Sequence, residues 1–304
     1  MEPTSTDSSP AGDRAGRPAP ATSRLSRIGF ADPAAALAAL TEPRLAIWDP
    51  ARDAPADDEA AIVLSAISRT ADPDQALAAL AGLAITSEGG RLVAALRATA
   101  AFRIRLLNLL GASRALADHL LVHPADALQL YGPEDQLPTV AGARGRLLAA
   151  VGADADDPVT GSGGTAASLT GSAAISALRA AYRRELVAVA ARDLAGEWDL
   201  QQVTEALADL AGYLLSAGLA VARAGLDTAA PCRLAIIAMG KAGARELNYV
   251  SDVDVVFVAS GLDGDDDRAE EAALATATRL ASATIQICGQ VAWEVDAALR
   301  PEGK

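Results

Sequence analysis

"MGKAGARELNYVSDVDVVF" (Met239–Phe257) is the stretch that decides how the C-terminal part of this chain folds. Its second half alternates acidic and apolar residues, with Asp252 and Asp254 separated and followed by valines. Side chains two residues apart on a strand share a face, so this spacing predicts both carboxylates on one face and valines in a core on the other. Neighbouring carboxylates repel each other and are costly to desolvate, and a bound cation would relieve both costs.

The chemistry that suits such a pair is magnesium-assisted phosphoryl transfer. Carboxylate oxygens are common Mg²⁺ ligands, and the ion often joins one or two carboxylates to substrate phosphates. A third acid on a neighbouring strand would complete a two-metal site for an in-line displacement at phosphorus. The segment "QVAWEVDAAL" (290–299) predicts such a strand, with Asp296 as the third acid and Glu294, on the same face, as a second choice.

A glycine turn precedes the two aspartates, in "AMGKAGARE" (238–246). Gly240 would let backbone amides approach a phosphate, and a short helix starting near Lys241 would point its N-terminus at it. Lys241 would add a positive charge there, although an ordinary surface lysine fits equally well. The turn is not a Walker A loop, since Ala235 stands where that motif needs glycine and Ala242 where it needs Ser or Thr.

Around this stretch the pattern predicts alternating strands and helices. "CRLAIIAMG" (232–240) predicts a buried strand, "DVDVVFVA" (252–259) a second strand, and "DDRAEEAALATATRLASATIQI" (266–287) a helix.

The sequence that precedes these elements predicts helices. The Asp-Pro pairs Asp32-Pro33 and Asp72-Pro73 predict helix starts, because Asp caps and Pro suits the first turn. Further helices are predicted over Arg91–Leu110 with a stop at Gly111, from Ser113, from Pro124, over Ala174–Leu194 and over Leu200–Ala224.

These elements predict an α+β chain. We expect a disordered Ser-, Pro- and Gly-rich tail over 1–29 and a helical region over 30–153. A Gly/Ser/Thr linker is expected over 154–173 and long helices over 174–228. Residues 229–304 are expected to form the mixed catalytic unit, incomplete at its C-terminal end.

The composition narrows the class of protein. The net charge of −13 argues against broad contact with nucleic acid, which needs clustered Lys and Arg. Cys232 and Cys288 form no disulfide framework or metal spacing, so we expect a reducing compartment. No signal peptide is evident, and the longest apolar stretch, Leu210–Ala222, falls short of the roughly 20 residues of a membrane span. A soluble cytoplasmic protein is therefore expected.

Other polar residues have ordinary interpretations. His119 and His123 lie four apart, but no H-E-x-x-H pattern accompanies them, so structural roles are favoured over a metal pair. Arg245 and Glu246 are typical helix-surface charges. The acidic run of Asp263 and Asp265–Asp267 lacks EF-hand spacing and is expected to be a solvated loop.

The element order resembles a known superfamily. Strand, glycine turn, Asp-x-Asp strand, helix and third-acid strand together resemble the nucleotidyltransferases that include DNA polymerase beta. "MGKAGARELNYVSDVDVVF" followed by "VDAALRPEGK" (295–304) is similar to the glutamine synthetase adenylyltransferase family. So are "LADHLLVHPADALQL" (116–130) and "LRAAYRRELVAVAARDLAG" (178–196), and the resemblance extends from about residue 30 to the end. Ala242 and Ala244 are mild departures from the Leu and Gly expected there.

The resemblance implies an enzyme of nitrogen regulation that adds AMP to a tyrosine of glutamine synthetase and removes it. Members carry two such domains. A single motif after helices matches the N-terminal domain, which removes AMP by phosphorolysis. Asp252, Asp254 and Asp296 would then bind Mg²⁺ and carry catalysis. The nucleotide-binding positions would be Gly240, Ser251, Lys241 and Arg300, although Arg300 would equally pair with one of the acids.

The implied partners are glutamine synthetase, ATP or ADP, phosphate and a PII-type regulatory protein, with no nucleic acid and no membrane. Two alternatives to this enzyme stay open. One is a non-catalytic fragment that binds nucleotide or docks on glutamine synthetase. The other is a nucleotidyltransferase acting on RNA or DNA, which the acidity of the chain disfavours.

Overall fold

A computed structural model describes residues 19–133, 136–156, 166–226, 230–262 and 266–297. Helices occupy most of the described N-terminal two thirds, and a small sheet with its own helices follows, which agrees with the predicted α+β class. The N-terminal helices are α1 Ala21–Arg27, α2 Pro33–Thr41, α3 Asp58–Ile67, α4 Pro73–Ala84, α5 Gly89–Ala98, α6 Ala100–Ala112, α7 Arg114–Val122 and α8 Ala125–Leu128. The short strands β1 (Trp48–Asp49) and β2 (Ala54–Pro55) pair antiparallel between α2 and α3.

Side-chain caps set several of these helix starts. The carboxylates of Asp32 and Asp72 accept hydrogen bonds from the backbone amides of Ala35 and Gln75, and proline follows each cap. Ser113 caps α7 in the same way. The predicted starts at these three positions are confirmed, and the prediction from Pro124 corresponds to the single turn of α8.

The helix predicted over Arg91–Leu110 is wrong as one element. Thr99 has extended backbone angles (φ −122°, ψ 114°) and separates α5 from α6, which continues past Gly111 to Ala112. The break has a physical reason. The buried guanidinium of Arg103 donates to the carbonyls of Leu96 and Arg97, which are freed at the end of α5.

The predicted disordered tail over 1–29 is wrong for its last third. Ala21–Arg27 is helical because Leu25 is fully buried in the N-terminal core and Arg24 lies over the Trp48 ring at 5.1 Å. Residues 1–18 lie outside the described residues, as do 157–165 within the predicted linker.

The second group of elements surrounds a three-stranded sheet. It comprises α9 Ala143–Ala150, α10 Gly171–Leu194, α11 Leu200–Ala224, β3 Arg233–Ala238, α12 Gly240–Ala244, β4 Val253–Ser260, α13 Asp267–Val291 and β5 Val295–Asp296. The strand order is β3–β4–β5, with β3 antiparallel and β5 parallel to β4. Helix α13 packs between the sheet and α11. Helix α10 contributes to both hydrophobic cores, with Val187 and Ala191 in one and Tyr182 and Val189 in the other.

Helix α11 is long and strongly apolar. Among the described residues it is the one helix with the length and hydropathy of a membrane span, at a mean hydropathy of 1.3. Within the protein, 67% of that window is buried, because α11 packs against α9, α10 and α13.

The sheet is covered on one face. Val253 and Val255 of β4 are buried in the core, and Ile236 of β3 packs against them. On the other face, Ile237 is 47% exposed and Val258 is 50% exposed. The prediction that 232–240 form a buried strand is therefore wrong for one of its faces, because no described element covers that side. The predicted strand over 290–299 is also shorter, since α13 continues to Val291.

Candidate metal centre

The three predicted aspartates meet at one edge of the sheet. Asp254 lies on β4, Asp296 lies opposite it on β5 in the parallel register, and Asp252 directly precedes β4. One carboxylate oxygen from each lies within 4.8 Å of the others. Asp252 is exposed, and Asp254 and Asp296 are half-buried. Sequence spacing alone could not show this meeting, because it depends on how the two strands pair.

The backbone around these aspartates is held from both sides. The amide of Met239 donates to the Asp254 carbonyl at 2.9 Å, and the amide of Val253 donates to the Glu294 carbonyl at 3.0 Å. Val253 is fully buried, which directs its two acidic neighbours away from the core. Glu294, the second choice for the third acid, contributes this backbone contact, while its side chain is exposed and lies outside the carboxylate cluster.

Gly240 sits directly against the Asp254 carboxylate. Its φ is +51°, a conformation that favours glycine, and a Cβ built there would lie 2.3 Å from Asp254 Oδ2. Any side chain at this position would therefore push the carboxylate out of place. The close neighbour that the structure shows at Gly240 is Asp254, and the predicted approach of this backbone to a phosphate stays a prediction.

The remaining predicted contacts are less closely tied to the cluster. The Ser251 hydroxyl donates to Asp252 Oδ1 at 3.4 Å, so it borders the site. Lys241 is exposed on the single-turn helix α12. Arg300 lies outside the described residues.

The segment between α12 and β4 is anchored to the helices in a way that the sequence did not reveal. Arg245, interpreted as a surface charge, adopts a left-handed conformation at φ 62° and donates to Asp209 of α11 at 2.9 Å. Tyr249 donates its hydroxyl proton to Asp193 of α10 at 2.7 Å. Each partner lies far away in sequence, so no local signal could have identified it.

The histidines and the acidic run behave as ordinary structure. His119 is buried and its Nε2 lies 2.9 Å from Asp126 Oδ2. The centroids of the His119 and His123 rings are 4.8 Å apart, with the rings tilted by 39°. Asp266 is exposed and caps α13 by accepting from the amide of Ala269, whereas Asp267 is the first residue of that helix, so the predicted solvated loop is wrong at Asp267. Asp263 and Asp265 lie outside the described residues.

The donor set fits a hard divalent cation. Three carboxylates supply oxygen ligands, which suit Mg²⁺ or Mn²⁺, and the cluster contains no sulfur or imidazole. Among the residues that the structure describes, it is the one group of three or more acidic, His or Cys side chains with this convergence. A cation of charge +2 would offset the mutual repulsion of the carboxylates.

Comparison with known proteins shows the family of this chain. The family model described as "Glutamate-ammonia ligase adenylyltransferase" matches residues 104–304. The chain belongs to this family. The resemblance of the sequence motifs to the glutamine synthetase adenylyltransferase family is thereby confirmed.

The similar curated proteins are named bifunctional glutamine synthetase adenylyltransferase/adenylyl-removing enzymes. The chain is 44% identical to the one from Streptomyces avermitilis over 301 residues, which are 95% of this chain and 27% of that protein. It is 42% identical to the Streptomyces coelicolor protein, with the same coverage. The Nocardia farcinica protein is 44% identical over 92% of this chain and 27% of its own length. The chain thus spans about a quarter of these relatives.

Proposed function

We propose that this chain carries the AMP-removing nucleotidyltransferase unit of a glutamine synthetase adenylyltransferase. The observation that carries the proposal is the convergence of Asp252, Asp254 and Asp296 within 4.8 Å, with Gly240 packed on Asp254. The strand order and the glycine turn further support a DNA polymerase beta-like core. The names of the relatives supply the substrate. The motif with Asp252 and Asp254 follows a helical region, and its resemblance to the N-terminal domain of this family implies the direction of reaction.

The reaction would be a displacement at phosphorus. An oxygen of inorganic phosphate forms a bond to the phosphorus of the tyrosyl-AMP ester, the bond from phosphorus to the tyrosine oxygen breaks, and ADP and tyrosine result. Mg²⁺ would neutralise charge on the reacting phosphate oxygens. The carboxylates of Asp252, Asp254 and Asp296 would hold this cation. The Ser251 hydroxyl donates to Asp252, and Gly240 has no side chain that would displace the Asp254 carboxylate.

The position of the cluster suits a protein substrate. Asp252 is exposed, and the sheet face that carries Asp254 is open in the described structure. A tyrosine on the surface of folded glutamine synthetase could therefore approach without local unfolding.

Lys241 and Arg300 are proposed as nucleotide contacts, ATP or ADP and phosphate as small ligands, and a PII-type protein as regulator. Free, buried Cys288 agrees with a reducing, cytoplasmic location.

The open sheet face also favours a second candidate. Ile237 and Val258 are each about half exposed on the sheet face that carries Asp254, which suits a docking surface. Under this hypothesis the chain binds nucleotide, or docks on glutamine synthetase, without catalysing a reaction.

The deciding experiment measures label released from glutamine synthetase carrying labelled AMP, in the presence of this chain, phosphate and Mg²⁺. The expected product is labelled ADP, which the Asp252→Ala, Asp254→Ala double variant should fail to form. The matched control is Asp118→Ala, which removes an exposed aspartate on α7 and should leave release unchanged. Mg²⁺-dependent nucleotide binding by a folded chain that releases no ADP would instead support the docking module.

A further inference from the structure

Helix α10 contacts both segments that carry the carboxylates. Near its C-terminal end, Asp193 accepts a 2.7 Å hydrogen bond from the hydroxyl of Tyr249, three residues before Asp252. Eleven residues earlier on the same helix, the Tyr182 hydroxyl accepts a 3.2 Å hydrogen bond from Trp293 Nε1, three residues before Asp296. We refer to these two hydrogen-bonded pairs, Asp193–Tyr249 and Tyr182–Trp293, as the α10 straps.

Open space lies beside three of the four strap residues. A cavity of about 380 Å³ lies there, and its lining includes Tyr182, Asp193, Tyr249, Val291 and Ala292. The side chains of these residues therefore meet open space as well as protein. A gap of this size removes the close contacts that normally fix a segment in position.

The segment leading to Asp252 has few other anchors. Leu247 is buried at one end and Val253 at the other, but Val250 between them is 90% exposed. Tyr249 is the residue of this interval that reaches back to α10. Its hydrogen bond thus has a direct influence on where Asp252 lies relative to β4 and β5.

The two phenols of the straps are protonated at neutral pH. Burial raises the pKa of the Tyr182 phenol to about 12. Tyr249 is 41% exposed, and its partial burial, followed by the adjoining Asp193, raises its pKa as well. Both phenols therefore keep their protons at neutral pH, and Tyr249 remains a hydrogen-bond donor to a carboxylate, which is a strong type of bond.

We propose that Asp193, Tyr249, Tyr182 and Trp293 are positioning residues that hold the Asp252 segment and the Asp296 segment at the spacing a divalent cation requires. This inference rests on the proposed metal-dependent function. It assigns to α10 a role beyond packing, because one rigid helix that belongs to both cores sets the distance between two separate ligand segments. Residues that orient metal ligands commonly change affinity by 10- to 100-fold when they are removed.

The test is a titration of the whole chain with Mn²⁺ alone, in which the electron paramagnetic resonance signal of free Mn²⁺ reports binding. Tyr249→Phe removes one oxygen atom and should weaken binding by about 10-fold. Asp193→Ala should weaken it equally, and the two changes together should be no worse than either one, because they break the same bond.

Two further variants separate positioning from other effects. Asp193→Asn keeps an oxygen that accepts from the Tyr249 hydroxyl, so it should restore Mn²⁺ affinity to within about 3-fold of the unaltered chain, which an effect of charge would not do. The matched control is Tyr131→Phe, which removes a phenol that is 52% exposed in the helical region and should change nothing. Trp293→Phe removes the donor of the second strap and should weaken Mn²⁺ binding as Tyr249→Phe does.

The outcomes separate the two proposals. Unchanged Mn²⁺ affinity in folded Tyr249→Phe and Trp293→Phe would overturn the straps and leave the metal site standing. Two results would overturn the metal site and the straps together. One is that the unaltered chain binds no Mn²⁺, and the other is that the Asp252→Ala, Asp254→Ala double variant still binds it. Because Tyr249→Phe deletes a single atom, far-ultraviolet circular dichroism should show an unchanged fold even if Asp193→Ala unfolds.

Discussion

The helical region (19–226) and the sheet region (230–297) differ in how their buried or clustered charged side chains are paired. In the helical region, Arg105 is 2% exposed and donates to both carboxylate oxygens of Glu197 at 2.8 and 2.9 Å. Buried Glu185 likewise accepts two 2.7 Å hydrogen bonds from Arg146. In the sheet region, three carboxylates converge on each other instead.

This difference separates residues that serve stability from residues that serve function. A buried charge that finds its opposite within the chain is satisfied, and removing its partner is costly. Like charges gathered at an accessible sheet edge gain nothing from each other, and a cation supplied from outside would offset their repulsion. The comparison predicts that substitutions in the two regions will affect different measurements.

The largest loss of stability is expected for Arg105→Ala. The change leaves Glu197 and the carbonyls of Leu130 and Gly132 without this donor, so the free energy of unfolding should fall by about 3–5 kcal/mol. Urea denaturation followed by circular dichroism measures this. The control is Arg91→Ala, whose side chain is 72% exposed and pairs with Glu88, and which should cost less than about 1 kcal/mol. Equal losses would mean that burial of the pair does not matter.

A smaller effect is expected where backbone and carboxylate meet. Gly240→Ala would place a Cβ 2.3 Å from Asp254 Oδ2 at a positive φ, so it should cost about 1–3 kcal/mol and also weaken Mn²⁺ binding. Gly90→Ala, at a helical position with nothing within 4 Å of the new atom, should stabilise by about 0.4–1 kcal/mol. A Gly240→Ala protein with normal stability and Mn²⁺ affinity would show that the turn can shift freely.

The smallest effect on stability is expected within the carboxylate cluster itself. In the absence of divalent cations, Asp254→Asn should raise the free energy of unfolding by about 0.5 kcal/mol, because it removes one of three converging charges. Adding Mg²⁺ should raise the thermal midpoint of the unaltered chain more than that of the variant. Asp118→Asn, on the exposed face of α7, should respond to Mg²⁺ as the unaltered chain does. Destabilisation by Asp254→Asn without cation would contradict the comparison.

Local patterns predicted the elements best where the physical cause is local. The Asp-Pro pairs marked two helix starts because cap and first turn lie within four residues. The break at Thr99 was missed because it depends on Arg103 reaching back to α5. The exposure of Ile237 was missed because an apolar run does not show whether both faces of its sheet are covered.

The candidate metal centre likewise depends partly on local pattern and partly on tertiary contacts. The two-residue period of a strand places Asp252 and Asp254 on one face and their valine neighbours in the core. These two candidates could therefore be identified from the sequence. The pairing of Asp254 with Asp296 required β5 to lie parallel to β4 in one register. The link from Asp193 to Tyr249 joins residues 56 positions apart. Such contacts arise only when separate elements pack together, because side chains distant in sequence have no local interaction that could favour one partner over another.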